Sequence, residues 1–163
     1  MPPQGSIIRG PITRAADYQR RRNRVFVAYP YSHYPRAAYR PIFERAGQEH
    51  GFSPVFADDT LTNTHLLEKI GQLLQGVELA MFDLTTWNAT VALELGVAYG
   101  LHLNDSLPKY WILYSVAEGH ERDVPSDVRG IDSLRYTDLT DLETTLRPKL
   151  AKRFPNHSAR RRV

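Results

Sequence analysis

The segment ELAMFDL, Glu78 to Leu84, is a short apolar run that carries Asp83 at its end and passes straight through Thr85 and Thr86 into a stretch with helical spacing that reaches Leu103. A buried strand that leaves through a turn into a helix leaves few folds open. Such a strand needs cover on both faces, and helices connected in this way supply it in a parallel sheet. The helix has a ready cap in Thr86 or Asn88.

At about 100° per residue, Trp87, Thr90, Val91, Val97, Ala98 and Leu101 all fall within roughly 60° of Glu94 around the helix axis. Glu94 therefore stands in the middle of an apolar stripe. A carboxylate in such surroundings costs several kcal/mol unless a partner or a ligand offsets it. One reading is an ion pair with an arginine of the chain, or a stripe that turns partly to water. The other is a catalytic or ligand-binding acid, because open α/β sheets bind ligands beyond the carboxyl ends of their strands.

The rest of the chain repeats the strand-then-helix theme. RVFVAY, Arg24 to Tyr29, is β-branched and aromatic, is stopped by Pro30, and places Tyr29, Tyr31, Ser32 and His33 at its carboxyl end. Pro35 opens a helix to about His50 with Ala38, Ile42, Phe43 and Ala46 inward, and Gly51 closes it. Phe52 to Asp59 is a second strand, placed at an edge by Pro54 and ending in Asp58 and Asp59. A helix capped within Thr62 to Thr64 runs to about Gln75. Lys109 to Val116 reads as a fourth strand, Val124 to Gly130 as a loop, Ser133 to Tyr136 as a short fifth strand, and Asp138 to Phe154 as a last helix kinked at Pro148. The expected fold is one α/β three-layer, doubly wound domain over 24–154. Its five-stranded, mostly parallel sheet has the flavodoxin-like order 2-1-3-4-5. Residues 1–23 read as a flexible arm and 155–163 as a basic tail.

That order gathers Tyr29 to His33, Asp58 and Asp83 with Trp87, Asn88 and Glu94. Aromatic faces suit a flat base and carboxylates suit ribose hydroxyls, with Arg36 or a helix N-terminus needed to compensate a phosphate. Each residue also has a plainer use: Tyr29 and Tyr31 as strand-end packing, Asp58 and Asp59 as turn formers, Trp87 as a plug at the helix start. The net charge of +3 comes largely from RRRNR at 20–24 and RRR at 160–162, so charge placement argues against nucleic-acid binding. No cysteine is present, which excludes disulfides, zinc thiolates and cysteine catalysis. The histidines lack metal-ligand spacing, no Gly-rich phosphate loop follows the first strand, and no apolar run approaches ~18 residues. The expectation is a cytoplasmic protein with no metal, no cofactor and no membrane partner.

VFVAYPYS with Arg36, together with FDLTTWNATVALELGVAYG, resembles the nucleoside 2-deoxyribosyltransferase-like superfamily and the related TIR-like nucleotide-binding proteins of bacteria. The VPSDVRG loop with its following Tyr is similar to the closing segment of many TIR-like proteins. The likeness spans roughly Arg24 to Leu150. It implies that Glu94 attacks or stabilises the anomeric carbon of a ribosyl group in an N-glycosidase (a hydrolase or transferase), with NAD, a nucleoside or a nucleotide as substrate. In that reading Asp83 and Asp58 orient ribose, with either as a second acid, and Tyr29, Tyr31 and Trp87 shape the base pocket. It also implies a homo-oligomer and, as the alternative, a nucleotide-sensing or self-assembling module, as in antiviral defence, that turns nothing over alone. The chain has Trp87-Asn88 where TIR NADases carry Trp-Cys, and Tyr29 where the transferases commonly have Gly or Ser; these differences bear on the substrate rather than on the bond broken.

Overall fold

A computed structural model describes residues 23–57, 66–103, 109–129 and 133–155. Five strands, β1 (Arg24–Ala28), β2 (Ser53–Phe56), β3 (Leu79–Asp83), β4 (Lys109–Ser115) and β5 (Ser133–Tyr136), form one sheet in the order β2-β1-β3-β4-β5. Every neighbouring pair is parallel, so the sheet is parallel throughout. The helices are α1 (Arg36–His50), α2 (Leu66–Gln75), α3 (Ala89–His102), the single turn α4 (Ser126–Arg129) and α5 (Leu139–Arg153). Pro54 sits in the edge strand β2, where a missing N–H costs no ladder bond on the open side.

Side chains alternate across the sheet and split the core in two. Val25, Val27, Leu79, Met81, Leu113, Leu134 and Tyr136 pack with α1 and α5. Phe26, Ala28, Ala80, Phe82, Ile112 and Tyr114 pack with α2 and α3. All of β3 is buried, as expected of a central strand covered on both sides.

The buried stripe of α1 is Tyr39, Ile42, Phe43, Ala46, Gly47 and His50. Ala38, expected inward, is exposed, and the bulkier Tyr39 takes the core position one residue on. Gly51 caps α1 in the left-handed region at φ 76°, its N–H reaching the Gly47 carbonyl at 2.7 Å. Gly47 is required for another reason: a Cβ there would lie 2.4 Å from the Phe52 carbonyl oxygen of the chain entering β2. Gly47→Ala is expected to destabilise the fold by about 1–3 kcal/mol through this overpacking, although alanine is the better helix former; a urea melt reads the difference.

At the other end of the chain, Asp138 caps α5 by accepting from the Asp141 N–H at 2.8 Å. The helix then continues past Pro148 to Arg153. The expected cap at Thr62 to Thr64 and the carboxylates Asp58 and Asp59 lie outside the described residues, as do residues 1–22 and 156–163.

Candidate functional site

Between β3 and α3 the chain makes a single 3-10 turn, Thr85–Trp87, in which Thr86 (φ 63°) and Trp87 (φ 49°) are both left-handed. Two successive non-glycine residues in this region cost on the order of 1–3 kcal/mol each and persist only where their surroundings hold them. Asn88 then starts the helix, its Oδ1 accepting from the N–H groups of Thr90 at 3.0 Å and Val91 at 3.2 Å. The inward side of α3 is Val91, Glu94, Leu95, Ala98 and Leu101. Glu94 is 4% exposed. Its inward placement is the one expected from helical spacing, and it makes Glu94 the carboxylate of the α2/α3 side. Trp87 departs from expectation: the left-handed turn takes it out of the helical phase, and it is 36% exposed.

Asp83 ends β3 fully buried on the opposite, α1/α5 side. Its Oδ2 accepts from the hydroxyls of Tyr39 and Tyr136, each at 2.6 Å. Its Oδ1 accepts from the Thr85 hydroxyl at 2.6 Å and the Thr85 N–H at 3.0 Å. A carboxylate offers about four lone-pair positions, so Asp83 is saturated. Thr85 Oγ1 accepts in turn from the Ser115 N–H at 2.9 Å, which ties β4 into the same cluster. The Tyr136 and Tyr34 hydroxyls are 2.9 Å apart. Tyr136 has one proton and the carboxylate is the stronger acceptor, so in this contact Tyr34 supplies the proton.

Burial, and next the negative charge of Asp83, raises the Tyr39 and Tyr136 pKa values well above the ordinary phenol range. Burial likewise raises that of Tyr34, though its Tyr136 contact works against the rise. A folded pKa above the unfolded value of about 10 gives a contribution that is complete below pH 10 and is lost as pH climbs beyond it. Unfolding free energy is therefore expected to fall above about pH 10. Tyr136→Phe should make that fall shallower by about 1.4 kcal/mol per pH unit for the one proton removed, as read by urea melts between pH 8 and 11.

The structure thus divides the residues singled out in the sequence. Tyr29 is buried, stacked on Tyr39 with ring centroids 4.4 Å apart and edge-on to Phe56, so it packs as a core residue of the α1/α5 side, the plainer of the two uses given for it above. Asp83 and Glu94 are held on different faces of the sheet, and with four donors on its two oxygens Asp83 has no acceptor position left for a ribose hydroxyl. Tyr31, Ser32 and Arg36 are exposed where the chain runs from β1 into α1, and Asp58 lies outside the described residues. Tyr34, Tyr39, Thr85, Ser115 and Tyr136 are the cluster that sequence reasoning missed. On the Glu94 side, Tyr114 was missed too. It is fully buried in the α2/α3 core, and among the described residues its hydroxyl has no hydrogen-bond partner.

Among the described residues no group of three or more His, Asp or Glu is placed to hold a metal ion, and no helix is long and apolar enough to cross a membrane. No protein-family model matches the sequence, and no curated protein matches it.

Proposed function

We propose that this chain is an N-glycosidic-bond enzyme acting on NAD or a nucleoside or nucleotide, with Glu94 stabilising or capturing the anomeric carbon. The observation that carries the reading is a carboxylate 4% exposed among Val91, Leu95 and Ala98, on the helix that leaves the carboxyl end of the central strand β3. In the reaction the C1′–N bond breaks and its electron pair leaves with the base. The ribosyl centre becomes oxocarbenium-like, and water adds to it with loss of a proton to solvent. One negative charge placed beside that centre lowers the barrier.

Leaving-group chemistry narrows the substrate. An ordinary nucleoside base departs as an anion unless an acid protonates it, whereas nicotinamide departs neutral from a cationic pyridinium. Asp83 is saturated by four donors on the other face, so of the two acids weighed for protonating a base Asp58 is the one left, and NAD is the substrate that needs neither.

Incubation of the protein with NAD, NADP and a panel of nucleosides and nucleotides, with free base followed by chromatography, tests the proposal. Nicotinamide release from NAD is the expected result. Ligand binding without release of any base would assign the fold to a nucleotide-sensing module instead.

A further inference from the structure

Thr85 opens the turn that follows β3, and its hydroxyl does two things at once. It donates to Asp83 Oδ1 at 2.6 Å and accepts from the Ser115 N–H at 2.9 Å. The strand β3 ends at Asp83, so at Ser115, the last residue of β4, a side chain supplies the acceptor that a strand carbonyl would otherwise supply. The Thr85 N–H is held as well, by the same Asp83 oxygen at 3.0 Å. Thr85 is fully buried, so water does not stand in for any of these bonds.

Three residues on, the chain is fixed a second time, where Asn88 Oδ1 accepts from the N–H groups of Thr90 and Val91. Between the two anchors lie Thr86 and Trp87 alone, and these are the two left-handed residues, at φ 63° and 49°. Neither is glycine, so local propensity does not select this conformation. It is imposed from the ends. The Asn88 cap belongs to α3 and moves with it. Thr85 is the end that ties the turn to the sheet, through Asp83 on β3 and Ser115 on β4.

We propose that Thr85 is a positioning residue: its hydroxyl imposes the left-handed turn and so sets where α3 starts relative to the sheet, and with it the placement of Trp87 and Glu94. Glu94 lies six residues beyond the cap, about 9 Å along the helix at 1.5 Å per residue, so a shift of the helix start is carried to its carboxylate. Misplacing a catalytic group by ~1 Å costs on the order of 10²-fold in rate. The catalytic half of this inference rests on the glycosidic reading of Glu94; the structural half does not.

Thr85→Val and Thr85→Ser test it in a Trp111→Phe background, where Trp87 is the one remaining indole of the chain's two. Valine keeps the shape and removes the hydroxyl, and serine keeps the hydroxyl. Thr85→Val is expected to shift the emission of Trp87 and its quenching by acrylamide, and to lower kcat for nicotinamide release by about 10²-fold with KM little changed. Thr85→Ser is expected to return both to the parent values. Unchanged Trp87 emission in Thr85→Val overturns the proposal by giving the turn to the Asn88 cap alone, and a Thr85→Ser variant as altered as Thr85→Val overturns it by giving the effect to packing. A Trp87 signal that moves while kcat does not overturns the catalytic half. If no base is released by any form, the glycosidic reading has failed, and the Trp87 signal still decides the structural half. Should Thr85→Val not fold, amide exchange of the unaltered protein decides instead: the Thr85 and Ser115 amides are expected to exchange as slowly as Ala80 and Met81 in the buried β3, and exchange at the rate of exposed loop amides overturns the proposal.

Discussion

Asp83→Ala is expected to lower the free energy of unfolding by about 4 kcal/mol or more, a large part of the roughly 5–15 kcal/mol that holds a domain of this size together. The substitution removes the acceptor but leaves the donors. The hydroxyls of Tyr39 and Tyr136 and both donors of Thr85 lose their carboxylate in a part of the core that water does not reach. Each stranded donor costs about 1–3 kcal/mol, offset in part because an ionised group is no longer buried. Tyr136→Phe is the contrasting case. It removes one donor, and Asp83 Oδ2 still accepts from Tyr39, so its expected cost near neutral pH is about 1 kcal/mol. Urea unfolding of the two variants reads the difference; equal losses would mean that the cluster is held by packing alone.

Glu94→Gln is expected to lower the rate of base release by about 10³-fold or more while the protein still binds the nucleotide. The replacement keeps the side chain's shape and removes the charge that faces the developing cation, an interaction made in the transition state and not in the ground state. The loss should therefore fall on kcat, with KM little changed. Calorimetric titration of wild type and variant with NAD checks the binding half of this expectation: a variant that no longer binds would make Glu94 a ground-state contact instead.

Much of the scaffold was legible because its signals are local. The run of apolar residues before Asp83, the Pro54 that keeps β2 at the edge, and the short spacing of strands and helices lead to the observed sheet order. Glu94 was legible for the same reason, since 3.6-residue spacing places it between Val91 and Ala98 on the buried side. The packing use of Tyr29 is marked by alternation: Val25, Val27 and Tyr29 share a parity and enter the same half of the core. The Asp83 cluster was beyond local reading. Its bonds join residues 44 and 53 positions apart, and nothing near Asp83 announces that Tyr39 and Tyr136 will meet it. Trp87 escaped for a different reason, because two left-handed residues in a row without glycine run against local propensity and are imposed by the surrounding structure.

The central claim is that Glu94 is the chemical centre of an N-glycosidic-bond enzyme. Chromatography of NAD incubated in parallel with wild type and Glu94→Gln, both shown by thermal melting to be folded, addresses it most directly. The account predicts nicotinamide from the wild type and almost none from the variant. Release at the same rate from both would contradict it.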